Sequence, residues 1–239
     1  MKYLPVLWLL FLSGMGYAQE SLEELIKEGI QYHDAGEFEK AIKAYQQALT
    51  IDPDSPLAHY EIAISYFAAQ NYPEALEHSD KVIAQGERKY LLPALVTKGS
   101  CLDNLGKSQE AIQVYEKALN DYGGHYLLYY NLGLTQFNVE NLKAGEEAIL
   151  NALKANINHS SSHLLLSYIQ EQKEKKVPHL LASYYFLLLE PNSRRSPDAY
   201  AKLRKSLEGN IEKTGKKDVT ININPSSLED EAGFSAVEL

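Results

Sequence analysis

The chain has 239 residues, 23 Lys+Arg against 32 Asp+Glu, and a formal net charge of −9. That acidic balance excludes a sequence-independent nucleic-acid binder, which needs a basic face, while an apolar fraction of 45% supplies a core without disulfide or metal staples. The single cysteine, Cys101, excludes an intrachain disulfide and a cysteine-based zinc cage; between Gly99-Ser100 and Leu102, in an apolar-periodic stretch, it reads as a small core residue.

Residues 1–18 read as a secretory signal. Lys2 precedes an apolar run from Leu4 to Leu12, and Gly16 and Ala18 are the small residues that place cleavage after Ala18. The run is shorter than the roughly 20 residues that span a bilayer, and no cysteine follows it to carry a lipid anchor. No other stretch is long and apolar enough to cross a membrane. The expectation is a soluble exported chain, periplasmic or secreted, with no integral membrane span after cleavage.

Self-similarity dominates residues 22–193. The phrase Ala35-Gly36-Glu37-Phe38-Glu39-Lys40-Ala41-Ile42 continues to Tyr45 and Ala48-Leu49, and it returns as Leu105-Gly106-Lys107-Ser108-Gln109-Glu110-Ala111-Ile112 with Tyr115 and Ala118-Leu119. A weaker copy is Asn71-Tyr72-Pro73-Glu74-Ala75-Leu76, and two more surround Asn141-Leu142 and Pro178-His179-Leu180. Each copy follows a second helical stretch with a small residue at its middle: Gly29, Ala63, Gly99, Gly133 and Ser167, spaced by 34, 36, 34 and 34 residues. The two extra residues are placed at Tyr90-Leu91, in a connection.

This pattern resembles the tetratricopeptide repeat (TPR), a helix–turn–helix unit of 34 residues. In that register the units are residues 22–55, 56–89, 92–125, 126–159 and 160–193. The first carries Leu25, Gly29, Tyr32, Ala41, Tyr45, Ala48 and Pro53 on the signature positions. The third carries Leu95, Gly99, Ala111, Tyr115 and Ala118, and the fourth Tyr129, Leu132, Gly133 and Ala152. The fifth diverges most, with His179 and Phe186 where the family prefers alanine. The resemblance implies an all-α, right-handed superhelical solenoid with a concave face, in which Gly29 faces Ala41 and Gly99 faces Ala111 across each helix pair. One pair cannot bury its own apolar face, so stacking completes the core. Pro53 and Pro191 stop second helices, and Ser55-Pro56 caps and restarts the next.

After the repeats, Ser196-Pro197 begins a helix over 196–209 in which Tyr200, Leu203 and Leu207 form an apolar stripe suited to capping the last repeat. Residues 210–239 are expected to be irregular or loosely docked. Val219, Ile221 and Ile223 alternate with polar residues at a strand period, but no partner strand is evident.

The first helices of the units direct one face to the concavity. Its residues are Ile26, Ile30 and His33; Tyr60, Ile64 and Phe67; Val96, Ser100 and Asp103; Tyr130, Leu134 and Phe137; Leu164, Tyr168 and Glu171. Of these, Ile30, Tyr60, Ile64, Phe67, Tyr130, Leu134, Phe137 and Tyr168 form the candidate partner groove, because aromatic side chains there have roughly 150–250 Å² each to bury. The carboxylate clamp of some TPR domains needs basic residues on this face. Ile26, Ile30, Tyr60, Ile64, Val96 and Ser100 occupy the equivalent positions, so the resemblance implies no such clamp here. His159 and His163 are four apart, but Ser160–Ser162 look like a helix cap, leaving His159 outside the helix and a metal site unsupported. The run Glu171–Lys176 reads as a solvated turn. No phosphate loop, nucleophile elbow or zinc-helix motif is found.

The reading is a non-catalytic interaction scaffold of the bacterial cell envelope, without cofactor or metal, that holds an extended or helical apolar segment of another protein in the groove. The alternatives are an assembly subunit whose groove is filled by its own tail or a second copy, so that the chain would form a homo-oligomer, and an accessory protein to a cell-envelope enzyme complex.

Overall fold

The computed structural model describes residues 21–208 and the segments 211–213 and 219–221. The expected signal segment 1–18 and most of the expected tail lie outside the described residues. Helices follow one another in pairs: α1 (residues 21–34) and α2 (Phe38–Ile51), α3 (Pro56–Ala68) and α4 (Tyr72–Gln85), α5 (Arg88–Asn104) and α6 (Ser108–Tyr122), α7 (Tyr126–Asn138) and α8 (Leu142–Ala155), α9 (Ser160–Gln172) and α10 (Lys176–Leu189). A further helix, α11 (Ser196–Glu208), precedes two short strands, β1 (Ile211–Lys213) and β2 (Val219–Ile221). The chain divides near Asp121 into two compact units. In the first, α3 packs between α2 and α4 and α4 packs on α5; in the second, α7, α8, α9, α10 and α11 pack in sequence.

Every pair turns the same way. The residue that leaves the first helix adopts a left-handed conformation: Gly36 (φ 76°), Gln70 (63°), Gly106 (76°), Glu140 (60°) and Glu174 (57°). The next amide then reaches back five residues, as in Glu37 N–H to the Tyr32 carbonyl (2.8 Å) and Lys175 N–H to the Gln170 carbonyl (2.9 Å). This closes the orphan carbonyls of the helix end. Glycine suits that position because it has no Cβ to clash; in three of the five turns the exposed Gln70, Glu140 and Glu174 take it instead, held by the same local backbone hydrogen bonds.

Size complementarity sets how the two helices of a pair meet. A Cβ on Gly29 would lie 2.3 Å from the Tyr45 ring, and one on Gly99 would lie 2.3 Å from the Tyr115 ring. The glycines therefore receive the tyrosine rings, with Ala41 and Ala111, one turn before each tyrosine, fully buried; in the fourth pair the equivalent Gly145 lies directly against Gly133. Gly133 receives Ile149 in the same manner, with a built Cβ 2.7 Å away. Where the first helix carries Ala63 or Ser167, the equivalent second-helix residues shrink to Ser79 and Ser183, and the volume moves one turn on to Val82 and Phe186. Each pair thus buries one large side chain at one of two positions, which keeps the interior close-packed.

Three expectations are corrected here. Tyr90 and Leu91 do not form a connection: they are buried in the first turn of α5, which at 17 residues is longer than α3, α7 and α9 at 13 each. Burying two large side chains outweighs the hydrogen bond that Pro93 withholds inside this helix. On α11 the buried stripe is Ser196, Ala199 and Leu203, while Tyr200 and Leu207 face outward, because the helix sits with its small-residue side against Leu164 and Phe186. The tail is not wholly irregular: Ile211–Lys213 is the missing ladder partner, pairing antiparallel with Val219–Ile221 so that Glu212 stands opposite Thr220. Cys101 is fully buried, and burial pushes its thiol up to about 12.

Candidate functional site

In the first unit, Ile26 is buried in a cluster with Ala41, Tyr45, Ala48, Ala58 and Ile62, whereas Ile30, one turn on, is 37% exposed. Tyr60 is half-buried against Val82, Tyr90 and Ala94, its ring 5.8 Å from that of Tyr90, and burial raises its phenol pKa. Ile64 and Phe67 are half-buried, Phe67 meeting Tyr72 edge-on at 5.6 Å. His33 makes a 2.8 Å hydrogen bond to the Ser65 hydroxyl. The corresponding part of α5 is polar: the Ser100 hydroxyl lies 3.2 Å from the Tyr115 hydroxyl, and the Asp103 carboxylate accepts the Ser108 hydroxyl at 2.5 Å. The first unit therefore brings Ile30, Tyr60, Ile64 and Phe67 onto α1 and α3.

In the second unit, Tyr130, Leu134 and Phe137 form a half-buried row on α7, backed by Ile149, Leu153, Leu165 and Ile169. Burial raises the Tyr130 phenol pKa, and its ring meets His159 edge-on at 4.9 Å. Tyr168 has a different setting. It packs on the buried Leu164, Phe186 and Ala199, and the Lys202 ammonium of α11 stands 4.1 Å over its ring. Glu171 pairs with the same lysine at 3.7 Å. The run Glu171–Lys176 is accordingly more than a solvated turn, since Lys173 also reaches the Glu146 carboxylate. Burial alone would raise the Glu146 pKa, but Lys173 and the Gln170 amide outweigh it and hold the carboxyl below the usual range.

His159 and His163 each have one ring nitrogen in a hydrogen bond. The His159 Nδ1 lies 2.7 Å from the Ser162 hydroxyl, and His163 donates from Nε2 to the Ile157 carbonyl at 2.7 Å. Among the described residues, no group of three or more His, Cys, Asp or Glu is placed to hold a metal ion, and no helix is long and apolar enough to cross a membrane.

Two features have no counterpart in the sequence reading. One is a histidine pair between α3 and α4. His59 donates from Nε2 to the Pro53 carbonyl at 3.0 Å, so its Nδ1 is the acceptor for the Nδ1–H of His78 at 2.9 Å. Burial, then each other's charge, holds the His78 pKa down to about 4. Nineteen residues separate the two rings, so only the turn brings them together. The other is an open groove of about 490 Å³ over α9, between α8 and α10, floored by Leu150, Leu153, Leu166, Leu181 and Tyr185. Its signal is legible in the chain, since residues 177–189 carry no charge and are apolar on every side.

Apolar ledges backed by a packed core, with their polar neighbours already hydrogen-bonded, suit holding a complementary surface. Models of the TPR repeat match residues 29–70, and of the tetratricopeptide repeat residues 92–120. The chain carries tetratricopeptide repeats. A TPR repeat-containing protein of Methanocaldococcus jannaschii is 31% identical over 100 residues, 39% of this TPR chain, which spans only 17% of that relative's length. Among solved structures, PilF of Pseudomonas aeruginosa is similar with a TM-score of 0.66 at 24% identity, covering 80% of this chain and 86% of its own. PilW, described as a widely conserved type IV pilus biogenesis factor, has a TM-score of 0.63 at 15% identity, covering 79% and 93%. At these identities the likeness establishes the all-α TPR fold and nothing finer.

Proposed function

We propose that this TPR protein is a non-catalytic scaffold of the bacterial cell envelope that holds an apolar segment of another protein against its first-helix faces. The observation that carries the reading is the row Tyr130, Leu134 and Phe137, firmly backed yet only half-buried, with Tyr60, Ile64 and Phe67 as its counterpart in the first unit. Rigid aromatic anchors of this kind give binding energy at low entropic cost. The envelope assignment rests on the signal-like residues 1–18.

In-cell photo-crosslinking from position 67 or 137, read by mass spectrometry, tests the reading. A defined partner is expected in each case, lost in the Tyr60→Ala, Tyr130→Ala, Phe137→Ala variant; crosslinks unchanged by that variant place the binding site elsewhere. Fractionation tests the location independently, with the mature chain expected in the envelope fraction and without residues 1–18.

A further inference from the structure

The second helices of the five repeats serve as internal controls for one another. At four equivalent outward positions, α2 carries Lys43, Gln46, Gln47 and Thr50; α4 carries Glu77, Asp80, Lys81 and Ala84; α6 carries Gln113, Glu116, Lys117 and Asn120; α8 carries Glu147, Leu150, Asn151 and Lys154. In α10 all four are large and apolar: Leu181, Tyr184, Tyr185 and Leu188, which are 63, 54, 39 and 74% exposed. Their spacing of i, i+3, i+4 and i+7 is that of a helix–helix contact stripe. The opposite stripe, His179, Ala182, Ser183 and Phe186, already satisfies the packing of α10 inside the chain. The outward stripe exposes on the order of 400 Å², within the range of the largest apolar patch usual on a monomer.

The charges around it choose among occupants. Residues 171–208 hold eight Lys+Arg against five Asp+Glu, in a chain whose total is −9. Three acidic side chains of this region are paired within the chain, Glu146 with Lys173, Glu171 with Lys202 and Glu190 with Arg195, while Glu147 and Glu174 are exposed. With Lys173 and Arg195 spent in those pairs, the excess positive charge at the two ends comes from Lys175 and Lys176 at one and Arg194 at the other. A second copy docked along this helix, in either direction, would set basic ends against basic ends. A flat anionic surface would leave unfilled the groove between α8 and α10, which is concave and lined by Leu150, Leu153, Leu166 and Tyr185. Inserted anchor side chains fill it. We infer that the outward side of α8–α10 is a second docking surface, for an acidic amphipathic helix of a partner protein.

Two synthetic helical peptides of about five turns test this, each with leucines at i, i+3, i+4 and i+7, one with glutamates and one with lysines elsewhere. Binding to the full chain is followed by fluorescence anisotropy. The glutamate peptide is expected to bind and the lysine peptide not, with affinity falling as salt rises to about 0.5 M. Leu181→Ser with Leu188→Ser is expected to weaken the glutamate peptide about tenfold or more without changing the circular dichroism. Lys175→Glu with Arg194→Glu is expected to shift the preference toward the lysine peptide. Equal binding of both peptides overturns the proposal. So does concentration-dependent dimerisation that Leu181→Ser abolishes, binding that emerges only after removal of residues 222–239, or capture by phosphatidylglycerol vesicles with no peptide binding.

Discussion

The first and fifth repeats solve one packing problem in opposite ways. In the first, Tyr45 lies over Gly29 and Ala48 stays small; in the fifth, Ser183 and Ser167 are both small and Phe186 carries the volume. The surfaces then diverge. The second helix of the first repeat shows solvent Lys43, Gln46, Gln47 and Thr50, while that of the fifth shows Leu181, Tyr184, Tyr185 and Leu188. A repeat frame thus fixes which positions must be filled but not which of two carries the large side chain, and it leaves the outward face free to specialise.

Truncating the large buried residue is the strongest way to break this comparison. Tyr45→Ala and Phe186→Ala should each cost about 3–5 kcal/mol in urea unfolding, whereas Tyr184→Ala, equally aromatic but outward, should stay within about 0.5 kcal/mol. A loss for Tyr184→Ala as large as for Phe186→Ala would mean that the outward stripe is part of the fold. Next comes Gly29→Ala, which sets a Cβ against the fully buried Tyr45 ring and should cost about 1–3 kcal/mol. Ser167→Ala, opposite the small Ser183, should cost less.

Acid separates the repeats further, because the part-buried His59–His78 pair belongs to the second. The folded pKa of His78 lies below its unfolded value, so the unfolded chain takes up the proton first. The pair's contribution is complete above pH 6.5 and is lost as pH falls toward 4. For a half-buried ring screened by solvent the loss is about 1–2 kcal/mol. Denaturation followed across this window should show the slope, and His78→Phe should flatten it. The smallest effect lies in the turns. Glu140→Gly and Glu174→Gly should stabilise by about 0.5–1 kcal/mol, since glycine relieves the left-handed backbone, while Gly36→Ala should destabilise by a similar amount. Thermal melts of the three variants would show whether the turns behave alike.

Much of the fold was legible because its causes are local. Small residues at Gly29, Gly99 and Gly133, Pro53 and Pro191 beyond second helices, and Ser55 accepting the Ala58 amide at 3.4 Å each act within a few residues or one repeat. Part of the candidate site was legible for the same reason: helical period alone put Tyr130, Leu134 and Phe137 on one row. Tyr168 sits on the same period but lies under Lys202, a residue 34 positions away that no local pattern ties to it.

The amino-acid order by itself determined that there would be helix pairs, where they turn and which residues let them approach, since those depend on backbone conformation and side-chain size at fixed intervals. Only the tertiary structure decided which stripe each helix would bury. On α10 two stripes two residues apart are both able to pack, and on α11 Tyr200 and Leu207 could have served as well as Ala199. The neighbouring helix selects the side whose shape it fits, and what is left outward, though as apolar as a core, becomes surface.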